Sequence, residues 1–465
     1  MAPSKYRRFA VAFAILNWKF HITNPAKSWS QIMSDIQPFK GLRYSLNKVT
    51  DLEQLLCPPY DIISPELQLE LHQRNPYNAV RLEFGMETPS DSANDNRYTR
   101  AAHLLEEWLS QGALRIEDEA AFYILQEDFP HQGRSMRRRS ILAAVRLEEL
   151  SKGVVLPHEE TSPGPKRDRM ELLAATKANL SPIMSIYRDS SGEVGTLVDE
   201  VASGPPLASA DYDDTNIQLW SFTDKTMVQA VIQSLKDTPV YLADGHHRYE
   251  TALQYRDIQR ADGNRSDALG SDFVMMSLIE IQDSGLVVLP YHRAMRGLST
   301  DEMERIMAQI NESFDIQTLD VRLDQTGHVV SHLEELLKKT VVNQVAIGLL
   351  EANEGKVSLL TLRNQPGASS PPLQRCAAQV LGRSILEPVL ETQQRAVERG
   401  ILRFTHDSKE VHQLIMDGDY QLGFILPALS MDLFEEVVLS GERMPLKSTY
   451  FSPKLPTGLV INSLG

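Results

Sequence analysis

Cysteine is almost missing from this chain: 465 residues carry only Cys57 and Cys376. Two distant cysteines, with no Cys-x-x-Cys, exclude a disulfide framework and a zinc knuckle, and they fit a reducing cytoplasm. Long apolar runs are missing too. Nothing approaches the ~20 residues that a spanning helix needs, so no membrane partner is expected. Positive charge is short: 47 Lys and Arg stand against 62 Asp and Glu, a formal net charge of -15. Such an acidic chain is a poor general binder of nucleic acid, whose phosphates call for a basic face.

What remains is the composition of a folded soluble protein, 42% hydrophobic and 23% charged, with a length that implies two or three domains. The start, "KYRRFAVAFAILNWKF", has basic residues and an apolar block from Phe9 to Leu16. Asn17-Trp18-Lys19-Phe20 follows where a signal peptide needs small residues for cleavage, so secretion is not expected. Residues 1–32 are read as a poorly ordered extension. Residues 33–295 are read as the catalytic region, and 296–465 as a C-terminal α/β region whose tail is placed to close on the site.

Strand-like and helix-like pieces mix without strict alternation, which gives an α+β fold class. Ser64 and Pro65 open a helix, and a strand is expected through Val80 to Phe84. "YTRAAHLLEEWLSQGAL" has helical periodicity that stops at Gly112. Two strands flank a turn at His131-Gln132-Gly133, and two more flank Asp283-Ser284-Gly285. The run Arg137-Arg138-Arg139 reads as a solvated sheet edge. A helix is expected from Pro165 to near Asn179, since Pro182 cannot continue it. Residues 188–216, rich in Ser, Gly and Asp, read as a connecting excursion.

The densest chemistry is "VYLADGHHRYETAL". An apolar strand, Val240 to Ala243, runs into Asp244-Gly245-His246-His247-Arg248 and then a helix. Gly245 permits a sharp turn. A helix N-terminus after such a turn offers free N–H groups and partial positive charge, which favour phosphate. Arg248 adds a guanidinium fork, and His246 and His247 add donors that titrate near neutrality. Asp244 is suited to hold magnesium or accept a proton. Asp-Gly is also a common turn pair, and Asp a common helix cap. Five special residues between two apolar elements nevertheless favour a functional loop.

That motif, with "PFKGLRY", "CPPYDII", "LPHEETSPGPKRDR", "NLSPI" and "GERMPLKSTYFSPKL", resembles the domain of unknown function 1015 family from about Asp35 onward. The D-G-H-H-R string is also similar to the phosphate-binding signature of the ParB/sulfiredoxin superfamily, which includes free-serine kinases. The resemblance implies a ParB/sulfiredoxin-like mixed core with insertions. Sulfiredoxin has cysteine where this chain has His246, so sulfinic-acid repair loses its nucleophile. A helix-turn-helix and a basic DNA surface, expected of a partition protein, are not evident.

A kinase needs a phosphate cradle, a divalent ion and a carboxylate near the acceptor hydroxyl. In "LPHEETSPGPKRDRM", Lys166 and Arg169 are three apart and form a second anion clamp on a helix face. Glu159 is the candidate general base, although a surface ion pair would explain it or Glu160 too. Lys447, Ser448, Thr449 and Lys454 lie in a Pro-flanked tail; the glycines of a Walker loop are absent before Lys447. Tyr60 and Asp61 line the site or belong to a Pro-fixed turn.

The expectation is a kinase moving phosphate from ATP, another nucleotide or pyrophosphate to a small hydroxyl compound, free L-serine by resemblance. Glu159, Asp244 and His247 would be catalytic, with Asp244 on Mg2+ or Mn2+. Gly245, His246, Arg248, Lys166, Arg169, Lys447, Ser448 and Thr449 would hold phosphates. Two other classes stay open: a nucleotide-binding switch without turnover, and a metal-dependent phosphohydrolase using Asp244, His246, His247 and Glu250. Adjacent histidines at a helix start diverge, which disfavours a closed metal shell.

Overall fold

The longest β-forming runs of the chain build its largest sheet. The computed structural model describes residues 33–161, 163–261, 270–323, 327–341 and 344–465, so the expected extension 1–32 lies outside the described residues. Strands Phe122–His131 and Arg134–Arg146 form a hairpin. Its tight turn has positive φ at Gln132 and Gly133, as a two-residue hairpin loop requires. Phe273–Glu280 pairs with the far side of Arg134–Arg146, then come Ile183–Tyr187, Val240–Asp244 and Val155–Pro157. Thr215–Phe222 and Ala208–Tyr212 extend the other edge, and Ile36–Gln37 adds to Arg134–Arg146.

The strand period of two divides these residues between two cores. Tyr123, Leu125, Leu142, Ala144 and Met275 belong to one buried cluster. Their neighbours Phe122, Ile124, Ile141, Ala143, Val145 and Met276 belong to another, on the opposite face. A sheet covered on both faces has strands that read as continuous apolar runs.

A second sheet has the order Phe314–Arg322, Lys356–Leu362, Ala346–Glu351, Leu422–Ile425, His292–Met295 and Leu402–Thr405. Between the sheets, Val287–Pro290 pairs with Thr449–Ser452 of the tail. The tail then returns as Ile461–Ser463 beside Gly41–Tyr44. Several sheets with helices around them make the fold mixed α+β. Among the described residues no helix is long and apolar enough to cross a membrane, and Cys57 and Cys376 are both buried free thiols.

Four local expectations need correction. Val80–Glu83 is a helical turn, not a strand; Asn78 Oδ1 accepts the Val80 N–H at 3.0 Å, and four residues are too few for periodicity to discriminate. Residues 188–216 contain helix Glu193–Ala202 and strand Ala208–Tyr212. The polar residues form the helix entrance, where Asp189 accepts the N–H groups of Gly192 and Gly195 at 2.9 and 3.1 Å. The helix expected from Pro165 spans Pro163–Thr176. The arginine run pairs with Gln126–Asp128 on one side and lies just beyond the end of the Phe273–Ile279 pairing on the other; it is no solvated edge, because Asp283 accepts the Arg139 N–H at 3.1 Å and Arg138 is fully buried.

Candidate active site

The strand Val240–Asp244 runs parallel to Val155–Pro157 and antiparallel to Ile183–Tyr187. Its register slips between Leu242 and Asp244, which ends regular pairing where the polar motif begins. Gly245 then takes φ +95°, and a Cβ there would meet Arg248 Nη2 at 2.9 Å. Only glycine makes this turn without strain. The helix His246–Ala261 starts at once, leaving its first-turn N–H groups without intrahelical acceptors.

Those residues form one wall of a cavity of about 240 Å³. Four other segments complete it: Tyr60 and Asp61, Glu159 and Glu160, Tyr291, and the tail through Lys447, Thr449 and Lys454. Glu159 follows two residues after the parallel neighbour strand Val155–Pro157. Its Oε1 accepts the Lys447 N–H at 2.9 Å, and the chain there bridges to Met444. Burial outweighs that hydrogen bond and the nearby Lys447 and Lys454 charges, so the Glu159 carboxyl is pushed up to about 7.

His158, beside it, is almost fully buried. Its Nδ1 lies 2.6 Å from the Leu242 carbonyl and its Nε2 2.8 Å from Thr449 Oγ1. A carbonyl only accepts, so Nδ1 carries the proton and the Thr449 hydroxyl donates to Nε2. Burial pushes this imidazole down to about 4. His158 therefore ties strand to tail as a neutral ring.

The tail is held by an arginine from the run. Arg138 is fully buried beside Glu127, and its guanidinium donates to the Ser452 and Pro453 carbonyls at 3.1 and 2.7 Å. The next residue, Lys454, makes an ion pair with Asp244 Oδ1. Arg248 Nη2 donates to Asp244 Oδ2 at 3.0 Å. Burial alone would raise the Asp244 carboxyl, but Lys454 and Arg248 hold it well below the usual carboxylate range.

The expected site residues thus divide. Glu159, Asp244, Gly245, His246, His247, Arg248, Lys447 and Thr449 line one cavity. Burial pushes His246 and His247 down, with His158 and Lys166 the next causes respectively. The Lys447 ammonium sits 5.0 Å from the Tyr291 ring centroid. Arg248 lines the cavity, but its fork is engaged: Nη1 donates to Ser181 Oγ and the Pro182 carbonyl at 2.9 and 2.8 Å. It braces the turn more than it offers a bidentate phosphate contact.

Three residues do not join that wall. Lys166 pairs with Glu250, one turn along the motif helix. Arg169 is buried against Glu83 and Asp168, and its guanidinium stacks 3.9 Å from the Tyr60 ring centroid. It supports a wall residue from behind. Ser448 donates to the Pro445 carbonyl at 2.7 Å and faces a different cavity. The metal expectation also changes. Both Asp244 oxygens are taken by cations, and among the described residues no group of three or more His, Cys, Asp or Glu could hold an ion. These donors do not fit a resident metal, and among the described residues the Asp244, His246, His247, Glu250 set of the hydrolase reading does not assemble. Tyr291 lines the cavity without having had a sequence signal, and Arg138, read only as part of an edge run, holds the tail without lining the cavity.

The family model described as "Protein of unknown function (DUF1015)" matches residues 36–383, and the chain belongs to that family. No curated protein matches it. Among solved structures, it is similar to a conserved hypothetical protein from Pyrococcus furiosus, at 15% identity over 70% of this chain and 95% of that one, with a TM-score of 0.36. It is also similar to a free serine kinase in complex with AMP, at 14% identity over 69% and 92%, with a TM-score of 0.35. SbnI with a C-terminal truncation, from Staphylococcus aureus, shares 11% identity over 69% and 87%, with a TM-score of 0.34. At such scores the likeness is too loose to carry a residue or an activity across.

Proposed function

We propose that this chain is a cytoplasmic small-molecule kinase with a ParB/sulfiredoxin-like core. It transfers a phosphoryl group from a nucleotide to the hydroxyl of a small acceptor. The observation that carries this reading is the cavity itself: a buried carboxylate, Glu159, shares about 240 Å³ with a helix N-terminus and two lysines.

The two carboxylates divide the work. Asp244 is locked as an anion between Lys454 and Arg248, so it orients cations and is a poor proton acceptor. Glu159 titrates at about 7, where a general base is most useful. The donor phosphates would lie against the N–H groups after Gly245, with Lys447 and Lys454 neutralising charge. Glu159 would take the acceptor's hydroxyl proton. The oxygen would bond to the terminal phosphorus as its bond to the bridging oxygen breaks, and the shortened nucleotide would leave. His247, kept neutral by burial, lies on the same wall. A divalent ion would enter as part of the nucleotide substrate, held mainly by phosphates.

Free L-serine is the first acceptor to try, on the resemblance of the D-G-H-H-R motif. The test is phosphorus NMR of purified protein with ATP, ADP or pyrophosphate against amino-acid and polyol acceptors. The expected result is a new phosphomonoester that depends on the protein. Nucleotide binding with no phosphoester from any pair would instead make the chain a switch without turnover.

A further inference from the structure

A second cavity, of about 110 Å³, lies behind the tail segment Lys447–Thr449. Its lining contains two arginines, Arg293 and Arg375, and no acidic side chain. Arg293 comes from the strand His292–Met295 and is fully buried. Among the described residues it has no ion-pair partner. It donates to the Tyr291 carbonyl and, at 3.4 Å, to the Lys447 carbonyl. Its guanidinium carbon lies 5.1 Å from the Phe404 ring centroid, while its Nε has no hydrogen-bond partner. The Arg375 Nε is buried and unpartnered as well, although the outer end of that guanidinium meets Glu436.

A buried charge without a counter-charge is costly. Burial pushes the Arg293 guanidinium down to about 10, which still leaves it charged at neutrality. Besides the two arginines, the ionisable group on this lining is the Cys376 thiol, which is pushed up by burial and stays neutral. Glu159 lies on the far side of Lys447, whose N–H it holds. The cavity also receives Ser430, the cap of helix Met431–Ser440, so a helix N-terminus adds partial positive charge.

We infer that this second cavity binds a small oxyanion, a free phosphate or a small carboxylate, seated on the Arg293 and Arg375 guanidinium groups. The size, the two lining arginines, of which Arg293 has no ion-pair partner among the described residues, and the absence of a lining carboxylate all ask for that chemistry. This site does not depend on the kinase reading.

The test is thermal unfolding of the full chain in anion-poor buffer, titrated with inorganic phosphate and, separately, with acetate. Because the first cavity also has cations, the comparison is made in Lys454→Met. The melting temperature should rise by several degrees with one of the anions, and adding Arg293→Met should abolish the rise. A rise with phosphate alone assigns a phosphate site, and a rise with acetate alone a carboxylate site. No rise with either anion overturns the inference, as does a rise that survives Arg293→Met. Should Arg293→Met fail to fold, Arg375→Gln is read in its place: a weakened rise supports the site and an unchanged rise overturns it.

Discussion

The two cavities stand back to back on one residue and handle charge in opposite ways. In the first, Asp244 is answered by Lys454 and Arg248, while among the described residues Glu159 accepts backbone N–H groups and has no direct ion pair with a Lys or Arg. In the second, among the described residues Arg293 donates to carbonyl oxygens and lies against an aromatic face, with no carboxylate partner. Lys447 joins them, its N–H on Glu159 and its carbonyl on Arg293. Asp244 and Arg248 are scaffold by this pairing, and Glu159 and Arg293, the carboxylate and the guanidinium left without a Lys, Arg, Asp or Glu partner among the described residues, mark where chemistry or a ligand belongs. Arg169 and Arg248, expected as phosphate ligands, fall on the scaffold side because Glu83, Asp168, Asp244 and Ser181 engage them.

The sharpest break of this contrast is Glu159→Gln. It keeps size and loses the proton acceptor, so phosphoryl transfer should fall by about two to four orders of magnitude. Calorimetric titration should show nucleotide affinity nearly intact. Full turnover in Glu159→Gln, with Asp244→Asn inactive, would move the base to Asp244.

Lys454→Met tests the paired carboxylate. It strips Asp244 of one of two cationic partners in a mostly buried setting, and should cost about 3 kcal/mol of stability, read from denaturant midpoints. Arg293→Met, which removes a charge without a partner, should cost far less in anion-poor buffer. Equal losses in the two variants would erase the distinction between the cavities.

The third effect is a pH dependence. The Glu159 carboxyl lies near 4.5 in the unfolded chain and about 7 in the folded one. Between those values the folded state binds more protons, so stability falls as pH rises through the window. The cost is absent below about 4.5 and complete above about 7, on the order of 3 kcal/mol. Glu159→Gln should remove this slope, so its stability relative to the parent should be higher at pH 8 than at pH 5. A difference independent of pH would show that Glu159 titrates normally, and would remove its claim as base.

Local chemistry was legible without the fold. The hairpin at Gln132-Gly133, the helix behind Ser64, and the strand–glycine–helix passage at Asp244 to His246 follow from turn and capping rules that act over a few residues. So did the group of residues to suspect, since the motif, Glu159 and the tail lysines do share a cavity. Roles were not legible. Whether a guanidinium is a ligand or a brace depends on which carboxylates and carbonyls other segments bring within hydrogen-bond reach. Arg138 shows the limit: among three consecutive arginines it alone is fully buried, because its strand is central and its side chain meets Glu127 and the returning tail. Sequence by itself determined which groups this protein has and how the chain turns at each of them. Only the tertiary structure decided which charges are neutralised and which are left unanswered, because that is set by contacts between residues as far apart as Asp244 and Lys454, or Arg138 and Ser452.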